Sequence, residues 1–396
     1  MGTILQKSGT VATGLLAILL LLPGCSQDKF PSAAAETCDR AKQVLTAGKE
    51  EFGFPGAVGA INFETGEECE FAIGLSDVDD QVPMRPDHRF LAASIGKTFV
   101  AAEVMRLAYA GTLDIDDKVG MWLGEHEGYE RIPNADEMTI RHLLSHTAGI
   151  PDHVYQPALA GDWSVLTSKD SAIPPWRLVG YIFDTEPLFE PGAGFAYSDT
   201  GYILLGLIIE KASGQPFYDL VERDFLVPLK LDRTAPTSAP RLPGLAQAYI
   251  EGERIEMSQK ETIDADGYLR YNAASEWTGG GFVSNPRDLA RWVKAYFSGQ
   301  SMPYDYLERV LEGAPHLDTA ANKGYGLGVS KYTTEFGVAY GHFGWIPGYV
   351  SAAFYLPERG VSYSFSINTD INLMGGPDSN FSRLHDRVVE SIFDIQ

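Results

Sequence analysis

An α+β fold is predicted for this 396-residue chain: one antiparallel sheet built from both chain ends with flanking helices, plus an inserted, mostly helical domain. Three observations predict it. Strand-like apolar segments occur near the start and again in the last quarter of the chain. The stretch between them reads as helices and long loops. The links between successive strands at each end are short, which suits antiparallel pairing rather than crossovers.

Residues 1–24 read as an export signal, Lys7 followed by an apolar run centred on Leu15 to Leu22 that is too short for a membrane span. The run closes with Leu22-Pro23-Gly24-Cys25, which resembles a bacterial lipoprotein signal. That resemblance implies cleavage before Cys25, lipidation of its thiol, and a protein anchored to a membrane and facing the periplasm or cell exterior. Ordinary soluble export is the alternative. Residues 25–35 are polar and small, a tether. A helix is expected over Glu36–Phe52, then strands over Gly56–Phe63 and Glu68–Gly74 joined by the turn Glu64-Thr65-Gly66-Glu67. Ser94–Ala110 reads as a helix stopped by Gly111. The sheet domain is assigned residues 36–111 and 282–396, and the helical domain, with a helix over Tyr202–Ala212, residues 112–281. A helix over Pro286–Ser298 precedes strands at Tyr325–Tyr332, Gly337–Phe343, Tyr349–Leu356 and Val361–Asn368, and an amphipathic helix over Ser379–Phe393 ends the chain. The two terminal helices are expected on one face of the sheet and the Ser94 helix on the other. Cys38 and Cys69 would form a disulfide in an oxidising compartment, tying the first helix to the second strand; two free thiols are the alternative.

Composition narrows the function. The chain carries 31 Lys and Arg against 53 Asp and Glu, a net charge of −22, so it lacks the basic surplus that nucleic acid binding requires. At 44% hydrophobic and 21% charged it reads as a folded globular protein. No run of 18 apolar residues marks a membrane-crossing helix.

Phosphate-binding, His-Glu-x-x-His and dinucleotide motifs are missing. Ser94-Ile95-Gly96-Lys97 remains, a Ser-x-x-Lys that places hydroxyl and amine on one helical face. Burial of the apolar helix that follows would disfavour a charged lysine and suit it to act as a base near neutral pH. Ser94 at a helix start also presents backbone N–H groups to an oxyanion. The competing reading is a serine N-cap, and the same spacing recurs at Ser26–Lys29, so the motif alone is weak.

Further segments accompany it: Phe189-Glu190-Pro191-Gly192, Phe195-Ala196-Tyr197-Ser198-Asp199-Thr200-Gly201-Tyr202, and Gly341-His342-Phe343-Gly344-Trp345-Ile346-Pro347-Gly348-Tyr349. Arg141 to Ile150, Gly111 to Asp117 and Gly279 to Ser284 add three more. In this order they resemble the serine β-lactamase and penicillin-binding superfamily, most closely its class C β-lactamase, D-alanyl-D-alanine carboxypeptidase and esterase branch. The resemblance implies an acyl-enzyme on Ser94, with Lys97 and Tyr197 sharing the base role. It implies an oxyanion hole from the backbone N–H groups of Ser94 and Trp345, substrate contacts at Asp199, His342, Phe343 and Gly344, and no metal or organic cofactor. His342 stands where many relatives have lysine and would support the Ser94 and Tyr197 cluster electrostatically; a satisfied strand histidine is the alternative. His142 and His146 read as structural, lacking a third metal ligand at a suitable spacing. Asp116-Asp117 reads as a turn element, and Trp277 and Trp345 either line the cleft or pack.

Two departures from the family pattern bear on substrate. Asp199 stands where peptide-cleaving and β-lactam-cleaving relatives usually carry Asn, and an ionised carboxylate only accepts hydrogen bonds. Phe343 stands where carboxylate-recognising relatives carry Thr, and it cannot donate. A small-molecule or peptide-like acyl substrate is therefore expected, with an esterase ranked above a D-Ala carboxypeptidase and a β-lactamase. A non-catalytic penicillin-recognising binder is the remaining alternative.

Overall fold

The computed structural model describes residues 1–2, 32–162, 167, 173–251, 261–302, 304–311, 323–375 and 379–393. The expected export signal, Cys25 and most of the tether lie outside these residues. Among the described residues, no helix is long and apolar enough to cross a membrane.

Helix α1 (Ala33–Phe52) starts three residues before the expected Glu36, inside the tether, because the Ser32 hydroxyl caps it by accepting from the Ala35 N–H. Gly53 stops it in the left-handed conformation at φ 76°. Strands β1 (Gly56–Asn62), β2 (Glu68–Asp77) and the short β3 (Val82–Pro83) follow as a meander. The C-terminal part supplies β4 (Lys323–Tyr325), β5 (Ser330–Thr334), β6 (Gly337–Ile346), β7 (Tyr349–Leu356) and β8 (Val361–Ile367). The sheet order is β3-β2-β1-β8-β7-β6-β5-β4, and every neighbouring pair is antiparallel. The two chain ends meet at β1 and β8, with Ala57 opposite Ile367 and Asn62 opposite Ser362. The expected strand Tyr325–Tyr332 is two strands. The backbone turns at Gly326-Leu327-Gly328-Val329, Gly328 lying at φ 76°, and brings Tyr325 opposite Ser330.

Strands β7 and β8 are buried at every position because both sheet faces are covered, hence their near-continuous apolar sequence. On one face α1 and the C-terminal helix α5 (Asn380–Phe393) bury Ala41, Leu45, Leu384 and Val388 against Phe354 and Phe365. A disulfide between Cys38 and Cys69 ties α1 to β2. On the other face lies α4 (Pro286–Phe297), entered through Asn285, whose side chain accepts from the Asp288 N–H, and Pro286. The Ser94 helix, α2 (Lys97–Tyr109), was expected there. It stands one layer further out, where Phe99 stacks on Trp292 of α4 at 4.1 Å between ring centroids. Helix α2 shares its core with α3 (Asp199–Ser213) and the rest of the helical body. The start of α2 is therefore pinned between sheet and helical body, and this is where the chemistry-bearing residues converge.

Candidate active site

Ser94 follows a short strand, Phe90–Leu91, paired with Phe282–Ser284. It sits in a tight 3₁₀ turn, Ala93–Gly96, with Ala93 held at φ 49°. The Ser94 side chain caps no helix, which removes the N-cap reading. The turn is gripped from two sides by backbone without side chains. A Cβ on Gly344 of β6 would lie 2.3 Å from the Ala92 carbonyl oxygen, and one on Gly280 would lie 2.5 Å from the Ala93 carbonyl carbon. Gly344 thus serves close approach of β6 to the serine turn, and Trp345 is the next residue along that strand.

Lys97 is 0% exposed. Its ammonium donates to Ser94 Oγ at 3.1 Å and to the Gly279 carbonyl, and it forms an ion pair with Asp199 Oδ1. Lys97 thus touches the serine hydroxyl, a backbone carbonyl and a carboxylate at once. Tyr197 and Tyr202 flank it, their ring centroids 5.0 and 5.3 Å from Nζ. The Tyr197 ring is 37% exposed at the mouth of the site, while its hydroxyl points inward to hydrogen-bond with Ser94. Desolvation of that inner end, and then the Asp199 carboxylate, hold the phenol well above its ordinary value of 10.

Asp199 is not alone. Its backbone N–H donates to Asp152 Oδ2 at 3.1 Å. Burial and then repulsion from Asp199 push the Asp152 carboxyl up to about 7, and the same two causes push Glu276 up to about 7, with Lys97 opposing both. Asp199 and Glu276 line a cavity of about 320 Å³ whose other walls include Leu178, Tyr271, Gly279 and Ile346. The described residues of its wall include no Lys or Arg.

His342 points from β6 toward this cluster but carries no charge there, because desolvation lowers its imidazole to about 4. The expected electrostatic support is replaced by hydrogen bonding: Nε2 lies 2.9 Å from the Tyr325 hydroxyl. Phe343 does not reach the site. Side chains alternate along a strand, and its ring packs on the opposite face against Phe354 at 4.7 Å and His385 at 4.9 Å. Trp345 is 38% exposed, with its indole N–H on Asp370 Oδ2 at 3.0 Å. Trp277 packs edge-on to Phe217 at 6.3 Å and is not among the cavity residues. His142 caps a helix reciprocally with Thr139, and Asp116 pairs with Arg141 at 2.7 Å. Among the described residues, no cluster of His, Cys, Asp and Glu is arranged to hold a metal.

Three residues beside the site escaped the sequence reading, Asp152, Glu276 and Tyr325, and a fourth, His146, was read there only as structural. His146 lies inside a matched signature, Arg141 to Ile150, and that was its one signal. Asp152 and Glu276 are acids without a motif, brought to Asp199 only by the fold.

A sheet closed by both chain ends, a helical body over one face and a Ser-x-x-Lys turn wedged between them define the β-lactamase and transpeptidase-like class of folds. The chain belongs to the beta-lactamase family, whose model matches residues 26–384. Penicillin-binding protein 4* of Bacillus subtilis is 28% identical over 294 residues, 70% of this chain and 60% of that protein. Esterase EstB of Burkholderia gladioli is 32% identical over 246 residues, 59% of this chain and 60% of that protein. The chain thus spans about 60% of the length of these curated relatives. A D-stereospecific amidohydrolase from Streptomyces sp. superposes with a TM-score of 0.75 at 28% identity, covering 90% of this chain and 98% of that one.

Proposed function

We propose that the protein is an exported serine hydrolase that cleaves esters, and secondarily amides, through an acyl-enzyme on Ser94. The observation carrying this reading is one oxygen with two partners: Ser94 Oγ receives Lys97 at 3.1 Å and hydrogen-bonds with the Tyr197 hydroxyl, and Lys97 also contacts Asp199 and Gly279, which line the cavity. In the reactive state a proton of Lys97 has moved to the adjacent carboxylate cluster. Ser94 Oγ attacks the acyl carbonyl and its own proton passes to the Lys97 amine. The carbonyl oxygen becomes an oxyanion facing the N–H groups of Ser94 and Trp345. Tyr197, a neutral phenol, protonates the leaving alkoxide or amine and recovers a proton from Lys97. Water then attacks the acyl-enzyme by the same relay in reverse, releasing the acid and restoring Ser94.

The acyl-side wall supports uncharged donors over carboxylate-bearing ones. With carboxylates and no Lys or Arg among its described residues, the cavity would leave a substrate carboxylate poorly paired. The same wall favours a second reading, hydrolysis of amides bearing an ammonium group on the acyl side, in keeping with the likeness to a D-stereospecific amidohydrolase. Export and a lipid anchor at Cys25 belong to this proposal, supported by the Cys38–Cys69 disulfide, which an oxidising compartment maintains.

The test is a turnover panel on the protein and Ser94→Ala: p-nitrophenyl acetate and butyrate, the D and L forms of phenylalanine amide, nitrocefin, and a D-Ala-D-Ala peptide. Ester turnover that disappears in Ser94→Ala is expected, with amide turnover slower and the last two inert. Dominant nitrocefin or peptide turnover would overturn the substrate assignment. Wild-type rates in Ser94→Ala would overturn the nucleophile.

A further inference from the structure

Behind Tyr197 lies a chain of buried polar groups that the acyl-transfer steps do not use. Tyr325 of the edge strand β4 is 5% exposed, and its hydroxyl lies between two buried histidines, 2.9 Å from His342 Nε2 and 3.2 Å from His146 Nε2. The direction of every proton in this chain follows from its ends. His342 Nδ1 is 2.5 Å from the Phe343 carbonyl oxygen, which only accepts, so Nδ1 carries the hydrogen and Nε2 accepts from Tyr325. His146 Nδ1 accepts the Ser198 N–H at 3.2 Å, so the hydrogen of that neutral ring is on Nε2 and goes to the Tyr325 oxygen. The Tyr202 hydroxyl also reaches Tyr325, while it donates to the Leu144 carbonyl at 2.9 Å.

The far end of this chain holds Tyr197 at three points. The His146 carbonyl accepts from the Ala196 N–H at 3.0 Å, His146 Nδ1 accepts from the Ser198 N–H, and the His146 ring lies on the Tyr197 ring at 4.1 Å between centroids. The residues before and after Tyr197, and its ring, are thus all set by one histidine. The near end is His342 on β6, two residues before Gly344, the residue that lies against the serine turn. Tyr325 therefore joins the strand that abuts Ser94 to the loop that carries Tyr197.

We propose that Tyr325 is a positioning residue of the acyl-transfer centre: through His146 and His342 its hydroxyl fixes the Tyr197 phenol on Ser94 Oγ. It touches no substrate in this account. The inference rests on the proposed Ser94 chemistry for its kinetic consequence but not for its geometric one, and the two are tested separately. Tyr325→Phe removes a single oxygen and keeps the ring. Misplacement of a reacting group by about 1 Å costs on the order of 10²-fold in rate. Fluorophosphonate acylation of Ser94 is therefore expected to slow by about 10- to 100-fold per folded molecule in Tyr325→Phe. In a Tyr197→Phe background the same change should cost less than about 3-fold, because a residue that acts through another is non-additive with it. Equal losses in both backgrounds would reduce Tyr325 to a packing role and overturn the proposal. A crystal structure of Tyr325→Phe gives the readout that needs no activity: the Tyr197 hydroxyl is expected out of hydrogen-bond range of Ser94 Oγ, and an unmoved Tyr197 would equally overturn it. Should Tyr325→Phe fail to fold, His146→Gln, which loosens the same grip from its far end, is expected to show the same non-additivity with Tyr197→Phe, and additive losses would again count against the proposal. Failure of the wild-type protein to be labelled at all would instead refute the hydrolase reading, and the crystal structure would still decide the role of Tyr325.

Discussion

Replacing Glu276 by Gln should make the protein more stable in alkali and leave it unchanged in acid. In the folded protein the Glu276 carboxyl ionises at about 7 instead of 4.5, first because it is desolvated and second because Asp199 faces it. Below about pH 4.5 the group is protonated in both folded and unfolded chains and contributes no difference. As pH rises from there to 7, the unfolded chain gains the free energy of ionising while the folded protein does not, so the wild type loses stability across that window. The full loss is the shift times about 1.4 kcal/mol, or about 3 kcal/mol, reduced by whatever water enters the cavity mouth. Glutamine keeps the shape and cannot ionise, so the variant escapes the loss. Urea denaturation of both proteins at pH 4.5, 6 and 8 measures it. The gap should open from near zero to between about 1 and 3 kcal/mol in favour of Gln, and stay constant above pH 8. A gap of the same size at pH 4.5 and 8 would show that the effect is packing and that the carboxylate cluster carries no strain.

Two other perturbations probe the frame. Cys38 and Cys69 close a loop with a sequence separation of 31, for which chain entropy gives about 3–4 kcal/mol; the double Ser variant should lose that much in urea, and reductant should destabilise the wild type alone. Gly344→Ala forces a methyl to 2.3 Å from the Ala92 carbonyl oxygen, so β6 and the serine turn must separate. Acylation of Ser94 should fall by about 10²-fold with the protein still folded by circular dichroism, and an unaffected rate would mean the contact relaxes elsewhere.

What could be read from the sequence followed from local rules. The spacing from Ser94 to Lys97 put hydroxyl and amine on one face, and the structure has them 3.1 Å apart. Strand patterns at both ends placed the sheet, because continuous apolar runs such as Tyr349–Leu356 can only be buried on two sides. Phe343 was misplaced although the alternation of a strand already implied it: if His342 faces the site, its neighbour faces away. The hairpin at Tyr325 was missed because apolar Leu327 and Val329 bridge two glycines and keep the strand pattern through the turn. Nothing local announces the remainder. His146 meets Tyr325 across 179 residues, and Asp152, Asp199 and Glu276 become repelling neighbours only after three segments have folded together. The burial of Lys97 was legible in the apolar helix that follows it; its carboxylate partner at Asp199 was not.

The pairing of β1 with β8 has a consequence for how the chain is made and how it breaks. Ala57 waits for Ile367, 367 − 57 = 310 residues later, before the middle of the sheet can close. Contacts of such separation form slowly and leave an open strand edge while they are awaited. The helical body can assemble in the meantime around nearer partners, so the Ser94 turn and its helix precede β6, the strand that will lie against them. A truncation just before Val361 would not trim a margin. It would take out the strand at the centre of the order β2-β1-β8-β7, leaving two half-sheets with nothing between them.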